Sequence, residues 1–399
     1  MEFSLMPIRL NHDLAIESTR DELSRQGFAT GMRQYILGNL ASHMETVYKK
    51  KVVPKFFKSS GRTPKNGQEV HRLMKPDLIF KYYSALRNLA QKLVWHSVLP
   101  GIERASDKLA NKVAQYNSQD EKIHLNASLE IPSYISDIDV HLMPGCYHSE
   151  RFSGDVTQGA LYDNGLSVFL MGYLGPEMDD TGRSVATFLK TRFPKFRPTA
   201  MIDIGATIGF NTLPWLESWP DLKIHAIDPS APNVRYGHAR CKSMGMNIDY
   251  HQMNGTKLDF EDNSVDIIWS AMVLHELPRP EIKKVLAESY RVLKPGGLMI
   301  HMELPLNKDV DCYEQFYLDW DSFYNKEPFY KSFRDFDLRA GVGGAGFSAD
   351  NFFTFVIPSI HNCGLTANNI AASSDDASVQ GNVGKLQDGL KWFTFGAWK

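Results

Sequence analysis

The feature that most constrains the fold is a regular alternation of short apolar runs and helical stretches that begins at Thr199. The apolar runs predict strands, and the stretches with apolar residues at helical spacing predict helices between them. The predicted strands are 199–204, 223–227, 248–253, 265–270 and 298–302, and the helices include 231–244 and 280–293. Strands joined by helices form a parallel sheet covered on both faces, and such sheets bind ligands beyond the carboxyl ends of their strands.

A glycine-containing turn follows the first of these strands, within residues 203–211. Glycines there let the backbone approach a ligand and leave helix N-terminal N–H groups free to donate hydrogen bonds. A tight turn without any ligand would give the same pattern. The second strand ends at Asp228, and a carboxylate about 20 residues after a glycine turn is placed to accept hydrogen bonds from a ribose diol. Asp228 could equally cap the helix that follows it.

Five segments of this region resemble, in order, the motifs of class I S-adenosylmethionine-dependent methyltransferases. They are Asp203-Ile204-Gly205-Ala206-Thr207-Ile208-Gly209, Asp228, and residues 254–268, 273–277 and 291–297. The last two are similar to segments of the ubiquinone/menaquinone-biosynthesis-type, small-molecule branch of that family. The resemblance covers residues 199–304. It implies an α/β fold with a Rossmann-like, seven-stranded methyltransferase sheet, and S-adenosyl-L-methionine as the cofactor.

The resemblance also implies which residues hold the cofactor. They are Asp203, Gly205, Ala206, Thr207 and Gly209 in the first turn, and Asp228, Pro229, Asn254, Gly255 and Ala271 after the following strands. Two of them depart from the family pattern. Thr207 replaces the middle glycine of the turn, so it adds a side chain where the methionine part of the cofactor lies close to the backbone. Asn254 replaces the acid that reads the adenine amino group, and its amide oxygen can still accept that hydrogen bond.

The chemistry of methyl transfer suggests one further pair of residues. The sulfonium of this cofactor makes its methyl group electrophilic, so an enzyme must chiefly align the acceptor and exclude water. Hydroxyl or ammonium acceptors need a base in addition. His275, just after the predicted strand 265–270, is the candidate base, with Glu276 as its orienting partner. The alternative is that His275 lies on the floor of the cofactor site with its ring nitrogens satisfied.

The sequence predicts three parts of the chain. Residues 1–130 form a helical N-terminal domain, residues 131–195 form a connecting lobe that covers the pocket, and residues 196–399 form the methyltransferase domain with an insert at about 306–347. Apolar stripes predict three N-terminal helices, around residues 37–47, 82–93 and 102–116. The candidate surface for a homodimer is the first stripe, which consists of Leu37, Leu40, Met44 and Val47.

Several later segments have distinctive compositions. The insert carries eleven aromatic residues between positions 313 and 347, interleaved with acidic ones. Such a segment suits a wall around an apolar, aromatic or cationic acceptor, or an amphipathic helix that packs its aromatic side chains on the core. The glycine-rich segment 341–346 predicts a hinge or loop, and residues 371–384 predict a flexible loop. The alternation in 390–398 predicts a final strand, which the resemblance places antiparallel in the sheet.

Charge and cysteine content restrict the partners and the compartment. The 44 Lys and Arg residues against 46 Asp and Glu residues give a formal net charge of −2, which argues against a nucleic-acid partner. No apolar run approaches the roughly 20 residues of a membrane helix, and we expect neither secretion nor membrane insertion. The four cysteines lie far apart, without the spacing of a zinc site or a disulfide framework, so we expect no metal and a reducing cytoplasm.

These observations predict a cytoplasmic methyltransferase that acts on a small-molecule acceptor. The acceptor atom stays open among O, N, S and C, because the motifs serve the cofactor. Two alternatives stay open as well. The first, suggested by Thr207, is an enzyme that uses the bound sulfonium in a non-methylating reaction. The second, suggested by the basic segment 49–65, is a nucleic-acid methyltransferase, although that segment also fits a solvated loop between helices.

Overall fold

The computed structural model describes residues 11–118, 120–372 and 383–399. Of the flexible loop predicted at 371–384, residues 373–382 lie outside these residues. Within them, eight strands form a single sheet. The strands are β1 (Ile123–His124), β2 (Ala200–Ile204), β3 (Lys223–Asp228), β4 (Asp249–Gln252), β5 (Val265–Ala271), β6 (Leu293–Glu303), β7 (Phe352–Pro358) and β8 (Lys391–Trp398).

The order of strands in the sheet is β1-β4-β3-β2-β5-β6-β8-β7. Strands β1 to β6 pair in parallel, and β8 lies antiparallel between β6 and β7. The five strands predicted from residue 199 and the antiparallel final strand are therefore confirmed. The predicted number of seven is one too few, because the two-residue β1 adds to the edge beside β4 and is too short to show a hydrophobic pattern.

The centre of the sheet positions the ligand-binding edge. Strand β2 pairs with β3 on one side and with β5 on the other, so the chain reverses its direction of travel across the sheet at β2. In open α/β sheets such a switch point leaves a crevice beyond the carboxyl ends of the strands. The residues that follow β2, β3, β5 and β6 all lie at this edge.

The α-helices of the described residues surround the sheet and build the N-terminal region. The N-terminal ones are α1 (Arg20–Gln34), α2 (Ala41–Val47), α3 (Val53–Ser60), α4 (Gly67–Met74) and α5 (Leu78–Asn117). The later ones are α6 (Ser133–Ser136), α7 (Thr157–Phe169), α8 (Asp180–Arg192), α9 (Pro214–Ser218), α10 (Ala231–Ser243), α11 (Arg279–Val292), α12 (Cys312–Tyr324), α13 (Tyr330–Arg334), α14 (Leu338–Gly344), α15 (Ile360–Cys363) and α16 (Ala367–Ala372). The predicted helices 231–244 and 280–293 are confirmed as α10 and α11.

Helix α5 is a single helix of 40 residues, although the sequence predicted two helices there. Pro100 lies inside it and removes one backbone hydrogen bond, which usually ends a helix. Val98, Gly101 and Ile102 on either side of Pro100 are buried, so packing keeps the helix continuous. Among the described helices, α5 included, none has an apolar stretch long enough to cross a membrane.

Helices α1, α2 and α3 form one continuous run, joined by π-helical turns at Tyr35–Leu40 and Tyr48–Val52. The run begins at a capping box in which the side chains of Thr19 and Glu22 each accept a hydrogen bond from the other's backbone N–H. Residues 49–60 belong to this run, so the predicted loop is wrong for most of the basic segment. A loop occurs only after Gly61, whose φ of +70° ends α3.

The stripe predicted as a dimer surface is used partly within the chain. Met44 is fully buried in a cluster with residues of α4, α5 and α12, and Leu37 lines a cavity described below. The apolar spacing therefore reflects an internal contact for these two residues. These contacts within the chain remove the support that the stripe gave to a homodimer, which stays a prediction.

The connecting lobe and the insert are more helical than their composition predicted. Most residues of α7 are buried, and α7 packs against α5 and α10. In the insert, α12 packs Tyr313 and Phe316 into the cluster that contains Met44. The predicted glycine-rich hinge is helical as far as Gly344, because Asp337 caps α14 by accepting a hydrogen bond from the backbone of Ala340.

Candidate active site

The turn after β2 has a backbone conformation that requires glycine at two positions. Gly205 has a φ of +72° and Gly209 a φ of +90°, in the left-handed region that other residues rarely adopt. A Cβ at Gly205 would lie 2.7 Å from Cγ2 of Val273, and one at Gly209 would lie 2.5 Å from the hydroxyl oxygen of Tyr250. Both glycines therefore let the turn pack closely against neighbouring elements.

Thr207, which takes the place of the middle glycine, also has a positive φ of +48°. A β-branched residue in this region is strained. Its backbone N–H donates to Oδ2 of Asp228 at 3.0 Å, and its side chain hydrogen-bonds with the hydroxyl of Tyr162. These two contacts hold the turn against the end of β3 despite the strain.

Asp228 is buried at the end of β3. Besides the hydrogen bond from Thr207, it accepts one from the backbone N–H of Ser230 to Oδ1 at 2.9 Å. Burial raises the pKa of Asp228 to about 6, and the hydrogen bonds from Ser230 and Thr207 oppose that rise. The cap of α10 is Ser230, whose Oγ accepts from the backbone of Asn233, so capping is not the role of Asp228. Each carboxylate oxygen can accept two hydrogen bonds, so Asp228 can also accept from hydroxyl groups.

Asp203 is the second buried carboxyl group at this edge. Oδ2 of Asp203 accepts a hydrogen bond from the hydroxyl of Thr212 at 2.5 Å. Burial raises the pKa of Asp203 to about 7, the Thr212 hydroxyl lowers it, and the charge of Asp228 raises it. Burial therefore disfavours the negative charge of both carboxyl groups.

The loop after β4 brings Asn254 and Gly255 to the same edge. Oδ1 of Asn254 accepts from the backbone N–H of Thr256 at 3.0 Å, and its amide group hydrogen-bonds with the hydroxyl of Tyr134. A Cβ at Gly255 would lie 2.6 Å from Cγ2 of Ile204, so glycine lets this loop pack against the end of β2. The loop is thereby fixed next to the glycine turn.

His275 follows β5 in a short 3₁₀ turn, and its side chain is almost fully buried. Its Nδ1 lies 2.6 Å from Oε2 of Glu303 at the end of β6, and Oε1 of Glu303 accepts from the backbone N–H groups of Val273 and Leu274 at 3.1 and 2.6 Å. Hydrogen bonding to a carboxylate places the proton on Nδ1 and leaves Nε2 as an acceptor. Burial lowers the pKa of His275, but nearby carboxylates, Glu303 first, raise it above its ordinary value.

Glu276 is not the partner of His275, contrary to the prediction. Oε1 of Glu276 accepts hydrogen bonds from Nε2 of His141 at 3.1 Å and from the hydroxyl of Tyr147 at 3.0 Å. Nδ1 of His141 lies 3.4 Å from Oε1 of Glu327, so this ring lies between two carboxylates. Burial lowers the pKa of His141, but its bonds to Glu276 and Glu327 raise it to about 10. His141 is therefore an imidazolium at neutral pH.

A cavity of about 540 Å³ lies beyond the carboxyl ends of the strands. Eleven of the twelve predicted site residues line it, and Gly209 is the exception. The opposite walls come from α1 and α5, from the connecting lobe and from the insert. The aromatic insert thus fits both of its predicted roles, because it packs on α4 and also lines this cavity.

Sequence reasoning missed several residues of this site. Glu303 lies one residue beyond the predicted end of its strand. Inspection of the residues at the carboxyl ends of the strands, where such sheets bind ligands, could therefore have found it. Tyr147 and Glu327 lie in segments without a recognisable pattern. His141 is 135 residues from Glu276 in the chain, and no local spacing indicates such a contact.

A second group of polar side chains lies on β3 and β4, and none of its members lines the cavity. Nδ1 of His225 lies 3.0 Å from Nε2 of His251 and 3.7 Å from Oδ2 of Asp249. Burial lowers the pKa of both rings to about 4, so both are neutral at pH 7. The ligand atoms of these residues are close enough to share a metal ion, a possibility that the sequence did not indicate. Because none of the three lines the cavity, we assign them no part in the reaction.

Comparison with known proteins gives a match for the segment that carries the motifs. Residues 201–297 match the model of the methyltransferase domain family, which covers about a quarter of the chain. The match, the ordered motifs and the sheet order identify this segment as a class I S-adenosylmethionine-dependent methyltransferase domain that resembles the ubiquinone/menaquinone C-methyltransferases. S-adenosyl-L-methionine is the cofactor of this domain.

Curated relatives are similar over the same region. A tRNA N(3)-methylcytidine methyltransferase of Drosophila melanogaster is 31% identical over 28% of this chain and 40% of its own length. The ubiquinone/menaquinone biosynthesis C-methyltransferase UbiE of Pseudoalteromonas translucida is 37% identical over 19% of this chain and 30% of its own length. The match thus spans less than half of either relative.

Solved structures are only distantly similar. Phosphoethanolamine N-methyltransferase 2 of Haemonchus contortus, in complex with S-adenosyl-L-methionine, is 17% identical. The alignment covers 67% of this chain and 60% of that one, with a TM-score of 0.42. Such a likeness carries no information about the acceptor of this chain.

Proposed function

We propose that this chain transfers the methyl group of S-adenosylmethionine to a small-molecule acceptor bound in the cavity. The observation that carries the proposal is the continuity of this cavity, which joins the glycine turn, Asp228 and Asn254 to walls from the N-terminal helices, the lobe and the insert. Its volume lies within the roughly 300–1,000 Å³ of small-molecule sites. An acceptor held by these walls would lie next to the cofactor residues.

The residues present fit the cofactor. Gly205 and Gly255 lie where a Cβ would clash, so the backbone of both loops packs closely at the strand ends. Asp228 can accept hydrogen bonds from a ribose, and the amide of Asn254 faces the same cavity. Bound S-adenosylmethionine supplies an electrophilic methyl group. The negative charge of the Asp228 carboxylate, which is ionised above about pH 6, attracts a positive ligand charge.

His275 is the residue that we assign to deprotonation of the acceptor. Glu303 holds its ring through Nδ1, so Nε2 can accept a proton and the resulting imidazolium is stabilised by the same carboxylate. His141 is already protonated between Glu276 and Glu327, so it cannot act as a base at neutral pH. Its single positive charge offsets part of the negative charge of these two carboxylates.

The tRNA methyltransferase among the relatives favours a nucleic-acid acceptor as a second candidate. The basic segment offers little support for it. Lys49, Lys51 and Arg62 pair with Glu45, Asp77 and Glu69, and no basic residue of this segment lines the cavity. The paired charges reduce the field available to a phosphate backbone.

Incubation of the full chain with methyl-labelled S-adenosylmethionine and a cell extract tests the proposal. Label in the small-molecule fraction supports it, and label confined to tRNA contradicts it. Consumption of the cofactor without label in any acceptor would point to the non-methylating alternative raised by Thr207. A His275→Ala variant is the negative control, since it should bind S-adenosylhomocysteine like the wild type while losing turnover.

We further propose that each chain consists of a helical domain at 1–130, a pocket cover at 131–195 and a catalytic domain at 196–399. Two such chains would form a homodimer in the cytoplasm. All four cysteines are free thiols, which suits a reducing compartment. Light scattering over a range of protein concentrations tests the dimer. A monomer at every concentration would contradict it.

A further inference from the structure

A buried cation on the cavity wall has no anion of its own. Arg33 of α1 is only 2% exposed and lines the cavity. Its Nε donates to the carbonyl oxygen of Phe169 at 3.0 Å, and its Nη1 donates to Oε1 of Gln91 at 2.6 Å. Within the described ranges, these are the hydrogen bonds of the Arg33 guanidinium, so Nη2 makes none and no carboxylate forms an ion pair with it. Burial of an unpaired charge is unfavourable unless a ligand supplies the counter-charge.

The neighbouring cation is paired, which makes the imbalance specific to Arg33. Arg87 binds Asp321 through Nε at 2.6 Å and Nη2 at 3.2 Å, and its Nη1 donates to the same oxygen of Gln91 at 2.8 Å. Two guanidinium groups therefore meet at one amide oxygen, and Asp321 neutralises one of them. Burial first, and then the charge of Arg87, lower the pKa of Arg33 to about 9, although the charge of Asp321 opposes both effects. At this part of the wall the two guanidinium groups carry one positive charge more than Asp321 offsets.

A cation–π contact and an edge-to-face ring contact connect Arg33 to His141. The guanidinium carbon lies 4.6 Å from the centroid of the Phe169 ring, and that ring lies 5.1 Å from the ring of His141. His141 in turn bonds to Glu276, the neighbour of His275 in the chain. All of these residues line the same cavity. A molecule bound at Arg33 can therefore extend along Phe169 towards His275.

We infer that the methyl acceptor carries a carboxylate, which binds the open edge of the Arg33 guanidinium while the opposite end of the molecule lies near His275. The inference rests on the proposed function and adds the chemical class of its acceptor. Arginine suits this role because its planar group binds a carboxylate through charge-assisted hydrogen bonds. The ring of Phe169 would pack against the body of the acceptor.

The first experiment identifies the labelled product of the extract assay and tests it for a free carboxylate by coupling to methylamine with a carbodiimide. A mass increase on coupling is expected, and a product without a carboxylate overturns the inference while leaving methyl transfer to a small molecule intact. With the purified acceptor, Arg33→Gln should raise KM about 10- to 100-fold with little change in kcat, as expected for loss of a charge-assisted contact. Arg20→Gln, an exposed arginine of the same helix, should leave KM unchanged. An unchanged KM in Arg33→Gln overturns the inference.

The second experiment does not depend on turnover. Benzoate and benzamide have the same ring and differ in charge, so they probe Arg33 in the full chain saturated with S-adenosylhomocysteine. Benzoate should raise the Tm of the wild type and of Arg20→Gln, whereas benzamide should not, and Arg33→Gln should lose the difference. An equal response to both probes, or a difference that survives in Arg33→Gln, overturns the inference. If no small molecule is labelled, the proposed function fails and this measurement still decides whether the site binds a carboxylate.

Discussion

Glu303 and His275 form a buried pair in which one carboxylate fixes both a ring and the backbone that carries it. Oε2 of Glu303 lies 2.6 Å from Nδ1 of His275, while Oε1 accepts from two backbone N–H groups of the turn before His275. The carboxylate comes from the end of β6 and the histidine from the end of β5. The parallel pairing of these strands therefore sets the position of the candidate base.

Exchange of Glu303 for glutamine should impair this base. In Glu303→Gln an amide N–H faces Nδ1, so the proton moves to Nε2 and the ring can no longer accept from the acceptor. We expect a loss of about 10²- to 10⁴-fold in kcat. The fall in kcat/KM on the acid side of the pH profile should occur at lower pH than in the wild type, because the carboxylate that raises the pKa of His275 is gone. The measurement is the pH profile of kcat/KM, with calorimetric affinity for S-adenosylhomocysteine as the control. Full activity with an unshifted profile would remove His275 from the mechanism.

Asp228→Asn should weaken cofactor binding. The carboxylate is the group expected to accept the ribose hydroxyls, and loss of its charge should cost about 2 kcal/mol in affinity for S-adenosylhomocysteine. The wild-type affinity should also fall as the pH drops below about 6, where Asp228 becomes protonated. Calorimetric titration at pH 5.5 and pH 7.5 checks both effects. The variant should show less pH dependence, and a variant that binds as tightly as the wild type would exclude Asp228 from the ribose site.

Substitution of Thr207 tests the strain in the turn. Thr207→Ala and Thr207→Gly both lose the hydroxyl that bonds to Tyr162, and only glycine adopts a φ of +48° without strain. We expect Thr207→Gly to be more stable than Thr207→Ala by about 1 kcal/mol in urea unfolding. Equal stability, or a less stable glycine variant, would show that the surrounding contacts impose no conformational cost here.

Much of the sheet and the cofactor turn could be predicted because the signals are local. The apolar runs after residue 199 correspond to β2 to β6, and Gly205 and Asp228 lie immediately after their strands, where strand-end reasoning places ligand contacts. Family motifs add Asn254, although the sequence does not show that its oxygen already bonds to the turn at Thr256. Local pattern and fold agree here because both arise from strand and turn geometry.

The acceptor side of the cavity could not be predicted in the same way. Arg33 and His141 reach it from segments that are distant in the chain, and their partners are set by tertiary packing. Adjacency in sequence even misled the assignment of Glu276, because the 3₁₀ turn at Leu274–Glu276 directs successive side chains to different partners. Similarly, the two apolar stripes of α5 predict separate helices. The packing that keeps the helix continuous around Pro100 has no sequence signature.

Glu276→Gln should reduce stability in a pH-dependent manner. The pKa of His141 is raised from its ordinary value to about 10, so the stability that this ion pair contributes is fully present below about pH 6.5 and is lost as the pH rises through about 10. The pKa of Glu276 is lowered by His141 despite its burial, so its contribution also requires a pH above about 4.5. We expect Glu276→Gln to be less stable than the wild type by about 1–3 kcal/mol at pH 6.

Urea unfolding of both proteins at pH 6 and pH 10 measures this difference. At pH 10 the histidine is losing its proton in the wild type as well, so the gap between the two proteins should narrow. Glutamine keeps an oxygen for the Tyr147 hydroxyl, which limits the change to the charge of residue 276. A gap of the same size at both pH values would mean that His141 is neutral in the folded protein. In that case His141 would compete with His275 as the base, and His141→Gln should then abolish turnover.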